Sequence, residues 1–305
     1  MNHRRAGFTL ITVLWVMATA SVITLGAMLS ARDGVQASLN RGDAERARWR
    51  ANDCEQRARA AIDAALATGG DNGDASAVWR MLDRHAGEQA QLAADCDATL
   101  EAAGTRLSVN DADSTQLRTL FRLLGLRDVD GLVDALQDWR DIDDEPRSFG
   151  AERDQYVSRS RMPPSNAPLE SLGELRRVIG FDSLAGLDVA LDVEPGRVSI
   201  NTAPRDVLLT IPGFTEEVVE RILTERAFGR VVRDLLSFSA FVSHVARDSL
   251  LAHFPEISRM ATVDPDAWTL IARGRAGSPP VTVVTETRLT LGRARAVVAR
   301  WRTWP

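Results

Sequence analysis

Residues Phe8 to Leu29 read FTLITVLWVMATASVITLGAML, a run without a single charge. At ~1.5 Å rise per residue, a helix of this length covers about 30 Å, the thickness of a bilayer's hydrocarbon core. A short basic head, Asn2-His3-Arg4-Arg5-Ala6-Gly7, stands before it, and Arg32, Asp33 and an Arg-rich polar stretch follow. The pattern predicts one membrane-spanning helix, residues 8–31, with everything beyond Ala31 on the far side. The Arg pair places the N-terminus in the cytoplasm, because cytoplasmic flanks favour Lys and Arg. Two readings compete: a secretory signal peptide cut near Ala18-Thr19-Ala20, and a plain membrane anchor. Against the first, the apolar run continues to Leu29, beyond the usual length of a signal core.

Outward from the anchor, the helical pattern continues through NRGDAERARWRANDCEQRARAAIDAALA, rich in the helix formers Ala, Arg and Glu. Ala47, Ala51, Cys54, Ala58, Ile62 and Leu66 recur at three- or four-residue spacing and form one apolar stripe. The stripe predicts a stalk helix over 32–68 that lies on something, with Gly34 and Gly42 as soft points. The Gly69-Gly70-Asp71-Asn72-Gly73 cluster should end it.

The chain has 305 residues, 45% hydrophobic and 26% charged, as in an ordinary folded protein. A net charge of −5 gives no argument for nucleic acid. All 37 basic residues other than histidine are Arg, which excludes Schiff-base lysine chemistry and a Walker A lysine. No G-x-S-x-G and no metal-ligand spacing among His3, His85, His244 and His253 is found. Two cysteines, Cys54 and Cys96, lie outside the membrane, where an oxidising compartment allows a bridge; two free buried thiols are the alternative. Such a bridge would close a loop of about 40 residues and contribute ~3–4 kcal/mol by chain entropy.

An internal echo appears next. Leu107-Ser108-Val109-Asn110-x-Ala112, followed by Leu117, returns as Val198-Ser199-Ile200-Asn201-x-Ala203, followed by Leu208. Each reads as a short strand ending in Asn, then a helix that the Asn caps, with Pro204 early in the second helix. Two related helical lobes are expected. Residues 98–109 read as a strand or hairpin, 75–91 as helix or loop, 117–139 as a broken helical run, and 169–178 as another helix. Residues 228–253 are expected to be largely helical. The second lobe continues through Ile211-Pro212-Gly213-Phe214-Thr215-Glu216-Glu217, a helix–hairpin–helix-like unit. Carboxylates at its turn repel phosphate, so packing is favoured over DNA binding. Val, Thr and Ile enrichment from Trp268 onward predicts a β-hairpin, and 294–304 a last strand.

The sharpest local chemistry is Asp138-Trp139-Arg140-Asp141-Ile142-Asp143-Asp144-Glu145-Pro146, then Gly150-Ala151-Glu152-Arg153-Asp154-Gln155-Tyr156. Clustered carboxylates suit Ca²⁺, which takes six to eight oxygens at flexible geometry. Asp141, Asp143 and Glu152 match positions one, three and twelve of an EF-hand loop. The match then fails, because Pro146 stands at the obligatory Gly position. A solvated acidic loop, partly neutralised by Arg140, Arg147 and Arg153, is the plain alternative.

Gly7-Phe8-Thr9-Leu10-Ile11 resembles the cleavage and methylation site of type IV prepilins and type II secretion pseudopilins. The resemblance implies cleavage after Gly7 by a prepilin peptidase and an N-methylated Phe8. That family usually carries Glu at the fifth position after the cut, where this chain has Thr12; its absence is a feature of the minor pseudopilin K. The D-W-x-D-x-D…G-A-E-x-x-x-Y stretch, Asn166-Ala167-Pro168-Leu169 and Ser199-Ile200-Asn201-Thr202-Ala203-Pro204 also resemble the minor pseudopilin K family of the type II secretion system. The resemblance implies an α+β fold: a pilin-like long N-terminal helix packed on an antiparallel sheet, with a large all-helical insertion. The expected organisation is leader 1–7, membrane helix 8–31, stalk 32–68, start of the head 69–109, helical insertion 110–256 and closing strands 257–305. It further implies calcium in the insertion, carried onto Asp141, Asp143, Glu152 and Asp154, with Asp144 and Asp138 as weaker candidates. The implied role is structural, not enzymatic: a tip subunit that initiates or caps the periplasmic pseudopilus. The implied partners are the I- and J-type minor pseudopilins, the prepilin peptidase and the inner-membrane secretion platform. A membrane-anchored helix–hairpin–helix DNA receptor and another pilus-like minor pilin remain as alternatives.

Overall fold

The computed structural model describes residues 4–69, 87–182, 185–291 and 296–304. Helix α1 runs unbroken over Arg4–Gly69, so neither Gly34 nor Gly42 interrupts it, and it ends where the glycine cluster begins. It is long and apolar enough to cross a membrane, and its described side chains from 13 to 40 are exposed. The stripe deduced from spacing is the buried one: Ala47, Ala51, Cys54, Ala58, Ile62 and Leu66 all face inward.

What α1 lies on is a five-stranded antiparallel sheet. Strands β1 (Gln89–Ala93) and β2 (Cys96–Ala102) precede the helical region; β7 (Trp268–Ala276), β8 (Val281–Leu291) and β9 (Ala296–Trp304) follow it, in the order β1-β2-β7-β8-β9. Alternation along β7 puts Trp268, Leu270, Ala272 and Ala276 in the core, as a two-residue period requires. Gly274 sits in that row for a steric reason. A Cβ there would run into the backbone of Ala47, Arg50 and Ala51, so helix and sheet touch backbone to backbone. Cys96, at the start of β2, is disulfide-bonded to Cys54 of α1, with Cα atoms 5.8 Å apart. The covalent tie and the apolar stripe hold the same face of the helix.

Between β2 and β7 the chain leaves the sheet. It forms, in order, β3 (Leu107–Ser108), α2 (Ser114–Leu123), α3 (Val129–Arg140), α4 (Arg153–Ser158), β4 (Leu191–Asp192), β5 (Val198–Ser199), α5 (Arg205–Leu208), α6 (Glu216–Ala227), α7 (Leu235–Ser239), α8 (His244–Ala252), α9 (Phe254–Met260) and β6 (Ala261–Thr262). Short 3₁₀ turns lie at Leu172–Arg177 and Leu187–Val189. This region has its own core around Phe121, Leu136, Tyr156, Phe181, Leu208 and Ile222.

The sequence echo is a geometric one. β3 pairs in parallel with β4, and β5 pairs in parallel with β6. Asn110 donates from Nδ2 to Leu169 O (2.9 Å) and Val193 O (2.8 Å), and its Oδ1 accepts from Leu169 N (2.8 Å). Asn201 does the same with Val232 O (2.9 Å), Val263 O (2.8 Å) and Val232 N (2.8 Å). Arg140, ending α3, donates to Val109 O and Ala112 O; Arg226, near the end of α6, donates to Ile200 O and Ala203 O. Each lobe is therefore built on one asparagine and one arginine that satisfy backbone groups left over by two-residue strands.

Several local expectations change. The asparagines staple strands and do not cap helices: Asp113 caps α2 through a capping box, and Pro204 occupies the position just before α5. Residues 98–109 split between two sheets, because Gly104, with φ of +78°, turns the chain out of β2 against Arg197 and Ser199. Residues 172–177 form a 3₁₀ turn, and 228–253 hold two short helices with irregular chain between. Residues 89–91 open β1, whereas 75–86 lie outside the described residues.

Candidate metal centre

The acidic loop is positioned by the C-terminal half of α3. Asp134 and Asp138 lie four residues apart and share one helix face. Asp138 is fully buried and accepts from Arg147 twice, from its backbone N (3.1 Å) and from Nη1 (2.6 Å). Asp134 Oδ2 accepts from Phe149 N at 3.2 Å. Gly150 lies against the Asp138 carboxylate and Asp134 O so closely that a Cβ would overlap Oδ2. These contacts fold residues 141–152 back over the end of α3. Arg147 also pairs with Asp141 through Nη1, which leaves Asp141 Oδ1 buried and without a hydrogen bond among the described residues.

The fold-back brings Asp141, Asp143 and Glu152 together, each offering one oxygen, all within 4.8 Å of one another. Glu152 is 2% exposed and sits at the N-cap of α4 in a loose capping box with Gln155, without a side-chain hydrogen bond of normal geometry among the described residues. Burial pushes its pKa up to about 7, and the charges of Asp138, Asp141, Asp144 and Asp143 push the same way. Asp138 is also raised, by burial, against the opposing pull of Arg147. A buried carboxylate this poorly satisfied is costly unless something cationic takes it. A hard divalent cation fits that donor set.

Of the six residues carried onto this site from the sequence, three converge, while Asp138 is taken by Arg147. Asp144 accepts instead from Asn166 Nδ2 at 3.2 Å, and Asp154 is exposed in the first turn of α4; neither belongs to the three-residue group. Asp134 has no place in the sequence motif, and Gly150 stands in it without an assigned role; both position the loop. The i, i+4 spacing of Asp134 and Asp138 just before the loop is the signal that points to them. Gly7 and Phe8 lie in the first turns of α1.

The turn of the helix–hairpin–helix-like unit is occupied by its own side chains. Arg205 pairs with Glu216 and with Glu220 (3.2 Å), while Glu217 accepts from Ser243 N and Oγ, both at 2.6 Å. The carboxylates there are engaged within the lobe, and Thr215 caps α6.

Comparison with known proteins agrees with this architecture. Residues 98–185 match the family model described as type II secretion system (T2SS), protein K. A type II secretion system protein K from Dickeya chrysanthemi is 33% identical over 121 residues, covering 36% of this chain and 33% of that protein. The protein of the same name from Pseudomonas aeruginosa is 28% identical over 252 residues, covering 72% of this chain and 73% of that protein. In three dimensions the chain is similar to the crystal structure of the GspK-GspI-GspJ complex from the enterotoxigenic Escherichia coli type 2 secretion system. The TM-score is 0.52 at 17% identity, over 82% of this chain and 99% of the matched one, which is a likeness of fold. The long N-terminal helix on an antiparallel sheet and the stapled helical lobes thus go with a likeness to type II secretion system protein K, which the family model carries over residues 98–185.

Proposed function

We propose that this protein is a minor pseudopilin that starts or caps the periplasmic pseudopilus of a type II secretion system. The observation that carries the reading is the combination of a polymerisation-type helix with a bulky two-lobed insertion on its sheet. The apolar part of α1 anchors the subunit in the inner membrane, N-terminus in the cytoplasm and head in the periplasm. Prepilin peptidase removes residues 1–7, and Phe8 becomes the methylated N-terminus. Thr12, standing where stacking subunits carry a carboxylate, cannot pair with the amino terminus of a subunit above, which suits a subunit with nothing stacked on it. The role is structural, and the partners are the I- and J-type minor pseudopilins and the inner-membrane platform. The similar structure, a GspK-GspI-GspJ complex, supports this set of partners.

Calcium belongs to the same reading. Asp141, Asp143 and Glu152 would hold the ion, and Asp138 with Arg147 would hold the loop around it. When bound, the cation supplies the positive charge that Glu152 lacks. Co-expression of the full-length chain with its I- and J-type counterparts tests the central proposal. A complex that survives size-exclusion chromatography in detergent is expected, and three separately eluting proteins would contradict it.

A further inference from the structure

The two lobes differ most where the chain passes from the long helix to the segment held by the asparagine. In the first lobe 28 residues lie between Arg140 and Leu169; in the second, five lie between Arg226 and Val232. The first lobe fills this place with its own polypeptide: the acidic loop, α4, and Tyr156 packed on Trp139 with ring centroids 5.6 Å apart. At the corresponding point of the chain the second lobe has an open groove of about 590 Å³.

The edge of this groove is a stretch of backbone. Asn201 takes both the N–H and the C=O of Val232. Val231 and Arg233, on either side, have no hydrogen bond among the described residues. Their counterparts in the first lobe are closed: Pro168 has no N–H, and Glu170 N donates to Glu174 Oε1 at 3.0 Å. An open row of backbone donors and acceptors beside a groove is a template for a second extended chain.

The walls define the chemistry of that chain. Glu225 is neutralised twice, by Arg221 (2.9 Å) and by Arg230. Arg221 lies over the ring of Phe241 at 5.8 Å and Arg230 over Phe228 at 5.0 Å, and both rings are about two-thirds exposed: 65% and 69%. Asp234 spends its carboxylate on Ser237 N, capping α7. Arg233 is exposed and has no ion pair among the described residues. On a chain of net charge −5, this groove carries a local excess of positive charge beside exposed aromatic faces.

We infer that the groove docks an extended acidic segment of another polypeptide, its backbone pairing with Val231 and Arg233. Its carboxylate sits at Arg233, and its apolar side chain lies against Phe241. The sister lobe supplies such a filler in cis, and here it comes in trans. This inference does not rest on the assembly proposed above.

The test uses the full-length chain in detergent micelles and a fluorescein-labelled, end-blocked peptide, Gly-Asp-Phe-Glu-Leu-Gly, read by fluorescence anisotropy. Saturable binding is expected. Replacing both acids by Lys, or methylating the backbone nitrogen of the Phe, should each weaken it about tenfold or more. Arg233→Glu and Phe241→Ser should do the same without changing the circular-dichroism spectrum or the thermal midpoint. Absence of saturable binding, equal affinity for the Lys peptide, or an undiminished affinity in Arg233→Glu would each overturn the inference. So would self-association that Arg233→Glu abolishes, because the occupant would then be a second copy of the chain.

Discussion

Glu152 is held where the protein compensates its charge little: it has no side-chain hydrogen bond of normal geometry, burial raises its pKa to about 7, and the charges of Asp138, Asp141, Asp144 and Asp143 push the same way. The account therefore predicts a reversal of sign. With a chelator present, Glu152→Gln should leave thermal stability equal to or above that of the parent, because a buried charge is removed. With calcium at about a hundred times its dissociation constant, the parent gains roughly 2.7 kcal/mol, and Glu152→Gln should lose most of that gain. Asp144→Ala should keep it. Thermal unfolding followed by circular dichroism, in chelator and in calcium, measures all three, and a calcium response retained in Glu152→Gln would remove Glu152 from the site. Asn201 makes a second prediction at this scale. Asn201→Ala strips three backbone groups of their partner and should destabilise the second lobe by on the order of 3 kcal/mol in urea unfolding. A loss below about 1 kcal/mol would mean that water replaces the staple. The convergence of Asp141, Asp143 and Glu152 is legible because all three lie along one short loop. Asn201 was misread as a cap, because its partners Val232 and Val263 lie 31 and 62 residues away in the chain.

At the scale of elements, α1 is the most legible part of the molecule, since its apolar stripe obeys a local period that needs no knowledge of the sheet. The sheet was only half legible. The β7–β8 hairpin follows from β-branched residues around a turn, but β2 joins β7 across the whole helical region, a pairing without local signal. Two features hold α1 to that sheet and can be tested separately. Cys54→Ser with Cys96→Ser opens a tie between residues 42 apart and should cost about 3–4 kcal/mol, with the secondary structure kept. Gly274→Val puts a side chain into the backbone of α1 and should be worse, exposing the stripe and promoting aggregation. Dye binding to exposed apolar surface compares the two; a Gly274→Val protein as stable as its parent would show that the close helix–sheet contact is not required.

For the whole molecule, the same plan appears twice, and the two copies have diverged by what fills the space after their long helix. One copy carries an acidic loop that gathers Asp141, Asp143 and Glu152, and the other an open, basic, aromatic groove. Among the described residues the one helix long and apolar enough to cross a membrane is α1, so the molecule divides into an apolar stem and a head that carries the two lobes. That division underlies the proposed placement of the subunit at one end of a pseudopilus. Mature protein recovered from membranes should begin at Phe8 with a methylated amine, and an intact residue 1–7 segment would remove the pilin-type stem from the account. The most direct measurement is immunogold labelling of the lobes on isolated pseudopili. The account predicts label at one end of each fibre only, and label spread along the shaft would contradict it.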